Sequence, residues 1–205
     1  MKLPSWVNTI LFQRAAGRVQ PFNLALFKES IEIIKKGNKA TKENEIRKLL
    51  SIEGLKVHHI DKTTKRRVKA ECDRFEYPHE YHTAKKLTAV DYDVILVPPG
   101  YFKRHEKGFD VFILRDHILL EAELKCITSI NKDTIGNRIK AGSEQSNRIV
   151  VDITSTIPRN ALIEGLKTGC ERNDSLCEIL LFYNSRFYCL PKTLILSKRI
   201  FKTIN

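Results

Sequence analysis

No stretch of the 205-residue chain approaches the roughly 20 consecutive apolar residues that a membrane-spanning helix needs. Residues 1–13 show no small-residue cleavage site of the secretory kind. The five cysteines (Cys72, Cys126, Cys170, Cys177 and Cys189) form no Cys-x-x-Cys pair, and three of them lie in strongly apolar segments. They are expected to be reduced thiols, although the Cys170–Cys177 spacing leaves one bridge open. There is no Gly-rich phosphate loop and no Gly-x-Ser-x-Gly elbow, so nucleotide-fuelled and serine-hydrolase chemistries drop out. Internal repeats and low-complexity tracts are also missing. These absences predict a soluble, cytoplasmic protein with no membrane partner.

What is present is positive charge. Lys and Arg number 36 against 24 Asp and Glu, a formal net charge of +12. Such a surface attracts polyanions, of which nucleic acid is the commonest, though charge also serves solubility alone. The hydrophobic fraction of 42% is enough for a continuous core.

Apolar spacing predicts a helix over 21–36 that stops at Gly37, then a second helix capped by Thr41, with Glu43 and Glu45 in its first turn and Ile46, Leu49 and Leu50 buried. A strand follows over 55–60. Residues 61–74 are polar and basic and read as a loop or hairpin. The pattern then changes to strands over 93–97, 109–114 and 117–127, the last two joined by a tight Arg115-Asp116 turn. A helix over 132–147, a strand over 148–153, a helix from Pro158, a hairpin turning at Asn184-Ser185 and a final helix complete an α/β order around a central mixed sheet. Residues 1–40 are expected to form an N-terminal helical extension, and 41–205 the main domain, with an insertion over 61–107.

The chemistry concentrates in one segment. Along a strand alternate side chains share a face, so Ile118, Leu120, Ala122, Leu124 and Cys126 point one way while Glu121, Glu123 and Lys125 point the other. Hydrolysis of a phosphodiester needs a reactive water and a way to offset charge building on the phosphate. Carboxylates from neighbouring strands hold a hard divalent ion, and a lysine two residues along orients the water or meets that charge. Asp110, followed after a hairpin by Glu123-Leu124-Lys125, supplies this set. The alternative for Glu123 and Lys125 is an ion pair on a solvated sheet face.

The pattern Asp110…Glu123-x-Lys125 resembles the PD-(D/E)xK nuclease superfamily. The run from Thr134 through Gln145 to Ile153 is similar to the C-terminal nuclease domain of CdiA-type contact-dependent growth inhibition toxins, in which a helix ending in glutamine leads into an apolar strand. The resemblance covers about 41–190. It implies a restriction-endonuclease-like core, phosphodiester hydrolysis of DNA or tRNA, a divalent ion (Mg2+ first, then Mn2+ or Zn2+) on Asp110 and Glu123, and catalytic roles for Lys125 and Gln145. It also implies a further acid on an early helix, Glu43 in preference to Glu45, and an acidic inhibitor or immunity protein as partner. The region 61–107 and the extension over 1–40 depart from the family pattern, so a mobile-element or defence nuclease stands beside a toxin.

Basic side chains expected to hold the phosphate backbone are Lys65, Arg66, Arg67 and Lys69 in the loop, and Arg138, which lies seven residues before Gln145 on one helix side. Cys72, His79 and His82 have metal-like spacing but no evident fourth ligand. The neighbours His58 and His59 point to opposite faces of a strand and cannot share an ion. The competing function is a non-catalytic nucleic-acid-binding or assembly module on the same fold.

Overall fold

The computed structural model describes residues 22–71 and 78–204. The expected extension over 1–40 and the candidate ligand Cys72 therefore lie partly or wholly outside the described residues. The side chain of Asn23 accepts a hydrogen bond from the Leu26 amide at 3.0 Å and opens helix α1, Leu24–Lys36. Phe27, Ile31 and Ile34 recur at helical spacing and form its buried face. Helix α2, Lys39–Ser51, is capped by Asn38 rather than by Thr41, whose amide donates to the Asn38 side chain at 3.0 Å. Asparagine is the better cap, and its place directly after Gly37 lets the helix begin earlier.

Eight strands follow: β1 (Lys56–Ile60), β2 (Arg67–Ala70), β3 (Asp93–Leu96), β4 (Val111–Arg115), β5 (Ile118–Ile127), β6 (Arg148–Ile153), β7 (Glu178–Tyr183) and β8 (Arg186–Pro191). Between and after them lie α3 (Pro78–Ala89), α4 (Lys132–Ser143), α5 (Arg159–Glu171), α6 (Lys192–Ile195) and α7 (Ile200–Thr203). The strands form one mixed sheet whose spatial order is the chain order. Strands β3, β4 and β5 are an antiparallel meander. The pairs β2/β3, β5/β6 and β6/β7 are parallel, joined by α3, α4 and α5, and antiparallel hairpins close both edges. The protein is thus α/β, a mixed sheet flanked by helices.

Sequence reading misses β2 and α3. Both fall in the stretch taken as an insertion, where Val68 and Ala70 alternate with Arg67 and Lys69 over only four residues. The buried face of α3 includes Thr83, Ala84 and Thr88, too weakly apolar to announce a helix. With β3 these elements widen the central sheet. The final helix is likewise two short ones, α6 and α7.

Three apolar clusters hold the layers together. On one face α3 packs Ala84 and Leu87 on Val94, Ile113, Leu124 and Val150. On the other, α1 and α2 cover β3 and β4 through Phe27, Ile31 and Leu49 against Ile95, Phe112 and Leu114. Helix α1 is therefore built into the core rather than appended to it. Beside this pair, α4 and α5 cover β6 and β7 through Ile135, Ile139, Leu162 and Leu166. Those two helices touch closely, since a Cβ at Gly165 or Gly169 would stand 2.7 or 2.6 Å from the Cβ of Ile135 or Ile139. Among the described residues no helix is long and apolar enough to cross a membrane. Cys126, Cys170, Cys177 and Cys189 are free thiols, so the Cys170–Cys177 bridge is not formed.

Candidate active site

The inner strand β5 carries a polar strip between two apolar regions. On the face shared with both helix pairs, Leu119 packs against the α1/α2 cluster and Ile127 belongs to the α4/α5 cluster. Between them, at two-residue intervals, come Glu121, Glu123 and Lys125. On the opposite face Ala122 and Leu124 are buried beneath α3. The strip therefore lies at the seam between the helix pairs.

Strand β4 supplies the second acid. Its register places Val111 opposite Ala122, and Asp110, just before it, comes close enough to Glu123 to act on its charge. Main-chain bonds fix that position, from the Val97 amide to the Asp110 carbonyl at 2.9 Å and from the Asp110 amide to the Ala122 carbonyl at 3.2 Å. The Asp110 carboxylate accepts from the Leu124 amide at 2.9 Å. Like charges close together on a sheet are unfavourable. Glu123 is only 2% exposed, and its Oε1 is held by the Lys125 ammonium and by Gln145 Nε2 at 2.8 Å. Its Oε2 is buried and has no hydrogen-bond partner among the described residues. Burial first, and the neighbouring Asp110 charge second, push the Glu123 carboxyl well above its ordinary range, against the pull of Lys125.

Helix α4 shapes the other side. A Cβ at Gly142 would stand 3.2 Å from Lys125 Cε, so the glycine leaves room for the lysine stem. Just past the helix end, Gln145 and Ser146 turn back on the strip, Ser146 Oγ donating to the Glu121 carbonyl at 3.0 Å. Facing them, α1 presents Lys35, which pairs with Glu121 at 2.6 Å. The segment before Asp110 is basic (Lys103, Arg104, His105, Lys107), and Lys107 bridges to Glu144 at 2.8 Å. Burial, with Glu121 and Glu32 nearby, pushes the Tyr101 phenol up to about 12. The rim thus carries lysines, each paired with a glutamate, and the floor carries carboxylates.

The structure brings Asp110, Glu123, Lys125 and Gln145 together. It does not bring Glu43. That residue lies 4.0 Å from His117 at the start of β5, six residues from Glu123, or about 20 Å of strand. Glu45 is the inward acid of α2, but it is 6% exposed and its oxygens are taken by Ser30 at 2.7 Å and Lys48 at 3.0 Å. Arg66 and Arg67 tie down the sheet edge, Arg66 to Asp91 at 2.8 Å and to Asp93 at 3.2 Å, while the Arg67 amide donates to Asp93 at 2.8 Å. Lys69 is buried and donates to the Leu50 carbonyl, its pKa lowered by burial. Lys65 donates to the Lys62 carbonyl at 2.7 Å within its own turn. Arg138 is exposed on α4, and because α4 ends at Ser143 the helical spacing from Arg138 does not carry through to Gln145.

Sequence reasoning misses Lys35, Lys107 and Gly142. The basic run three to seven residues before Asp110 is the signal that was available. Among the described residues no group of three His, Cys, Asp or Glu side chains is arranged to hold a metal. No family model, curated protein or solved structure matches this chain.

Proposed function

We propose that the protein is a metal-dependent nuclease whose site is Asp110, Glu123 and Lys125, on a restriction-endonuclease-like core made of the β3–β4–β5 meander, α4 and β6. The observation that carries this reading is the Glu123 carboxylate: buried, beside Asp110, and with one oxygen left without a partner. A divalent cation answers all three features at once. Two carboxylates are a sufficient protein contribution for Mg2+, which completes its shell with water and substrate phosphate; Mn2+ and Zn2+ are the alternatives.

Asp110 and Glu123 would hold the ion. When bound it supplies Lewis-acid stabilisation and lowers the pKa of its water. Gln145 keeps the Glu123 head group oriented by its bond to Oε1. Lys125 offers an ammonium at the same oxygen, where it orients the attacking water or meets charge on the phosphate. The Lys103–Lys107 segment lines the approach with positive charge suited to a phosphodiester backbone. The substrate class is DNA or tRNA, and the net charge of +12 equally suits an acidic inhibitor or immunity protein.

A second reading is a non-catalytic nucleic-acid-binding module. It is favoured by the Lys125–Glu123 ion pair, which already neutralises one acid, and by the two-carboxylate limit of the site. One experiment separates the two. The protein is incubated with plasmid DNA and with total tRNA, in EDTA and in Mg2+, Mn2+ or Zn2+. Metal-dependent shortening of either substrate supports the nuclease, and a mobility shift with intact substrate in every metal supports the binding module.

A further inference from the structure

A cavity of about 680 Å³ lies on the opposite sheet face, beside α3 and the carboxyl ends of β6 and β7. Open α/β sheets commonly hold ligands at strand carboxyl ends, and the volume is that of a small-molecule site. Asp152 at its base is 0% exposed, and both its oxygens are engaged, by Lys86 at 2.7 Å and Thr83 at 3.4 Å. It is therefore spent on the protein and holds the Lys86 ammonium at the cavity. That ammonium keeps two further N–H donors, and the lysine side chain is 34% exposed.

Around Lys86 the lining divides by chemistry. Thr154, Ser155 and Thr156 give three consecutive hydroxyls, and Ser155 Oγ is buried without a hydrogen-bond partner. Arg186 enters from β8, exposed and with no acid paired to it among the described residues; the one acid of the lining, Asp152, is taken by Lys86 and Thr83. Part of the remaining wall is aromatic: Phe182 and Phe187 lie 4.9 Å apart at 40°, and Phe187 is half-buried and lines the cavity. Donors and the positive charge of Arg186 thus stand beside aromatic rings. A stabilising Asp–Lys pair alone accounts for neither the Ser155 hydroxyl nor the Arg186 guanidinium, both without a partner among the described residues.

We propose that this cavity binds a nucleoside monophosphate, free or as the terminal nucleotide of a strand. Lys86 and Arg186 take the phosphate, and Phe187 takes the base by stacking. The proposal does not depend on the nuclease reading.

The test is calorimetric titration of the intact protein in EDTA with the four common ribonucleoside 5′-monophosphates, adenosine, inorganic phosphate, and a 5′-phosphorylated tetranucleotide. Nucleotides should bind, with adenosine and phosphate each weaker by about tenfold. Arg186→Ala should weaken nucleotide binding about tenfold, and Phe187→Leu should bring a nucleotide down towards phosphate. A tetranucleotide that binds more tightly than the mononucleotides identifies a strand end as the ligand, and equal affinity identifies the free nucleotide. The proposal is overturned if cooperatively melting protein binds neither nucleotides nor the tetranucleotide. It is equally overturned if Arg186→Ala and Phe187→Leu leave binding intact while Glu123→Gln abolishes it.

Discussion

Glu123 and Asp152 sit on opposite faces of one sheet, at 2% and 0% exposure, and each is held by a lysine. Their surroundings separate them. Asp152 has a partner on each oxygen and no acid opposite it in the parallel β6/β7 register, where it meets Phe182. Glu123 has Asp110 beside it, one idle oxygen, and a carboxyl held above its usual pKa. A buried acid–lysine pair is therefore no guide to role by itself. What distinguishes a site awaiting a cation is the second carboxylate and the unmet lone pairs.

The largest expected difference is in turnover. Asp110→Ala or Glu123→Ala should lower cleavage by on the order of 10³-fold, while nucleic acid affinity holds or rises as negative charge leaves. Lys125→Ala should also stop turnover yet leave metal binding largely intact, because a protonated ammonium cannot be a ligand. Folded Asp110→Ala and Glu123→Ala proteins that still cut at the original rate would sink the assignment.

Stability should separate the two pairs next. Lys86→Met strands a fully buried carboxylate and should cost about 2–3 kcal/mol in urea unfolding, below the fully buried figure because part of Lys86 already faces water. Lys125→Met should cost less, since the Glu123 carboxyl is already poised to take a proton. Equal losses would erase the contrast.

A smaller effect is a pH slope. Glu123 is raised in the fold, so between its unfolded and folded values the native state binds more protons than the unfolded chain. Metal-free protein should lose stability as pH rises through that window and level off above it. Glu123→Gln should flatten the slope and raise Tm at pH 8 by about 2–4 °C, the shift for roughly 1 kcal/mol in a chain of this size. Added Mg2+ should raise the wild-type Tm more at pH 8 than at pH 5.5 and have little effect on the variant. A wild type whose slope matches that of Glu123→Gln would count against the carboxylate pair.

The smallest effect concerns salt. Neutralising Lys103 and Arg104 together should reduce the log–log salt slope of nucleic acid binding by up to about one per lost phosphate contact. Neutralising Arg66 and Arg67 should change the slope less, because the Arg66 guanidinium pairs with Asp91 and Asp93 and that of Arg67 lies 3.7 Å from Asp93. The reverse result would return the backbone contacts to the β1–β2 turn.

The closeness of Asp110, Glu123 and Lys125 was legible because a two-residue period and a tight hairpin fix which side chains share a face. The approach of Gln145 to Glu123 was legible only through a family pattern. Glu43 went wrong because helical spacing tells which side of α2 faces inward but not which end of β5 that helix reaches. Lys65 to Lys69 look like a free basic loop in one dimension, yet the acids that engage Arg66 and Arg67 lie some 25 residues away. The α3 helix escaped notice because a face of alanine and threonine packs as well as leucine against a sheet but gives little periodic signal.

Strand order has a consequence for synthesis. Every strand is laid beside the one made just before it, so no later segment has to be threaded between earlier ones. As the chain emerges from its amino end, the sheet can grow outward from β1 by pairings of short sequence separation, which favour rapid folding. Asp110, Glu123, Lys125 and Gln145 are all in place once β6 docks, with α5, β7 and β8 still to come. Until those elements arrive, Ile149 and Val151 lack the cover of Leu162 and Leu166. The exposed apolar flank of a nascent chain stalled near residue 153 is where aggregation, or capture by a chaperone, would begin.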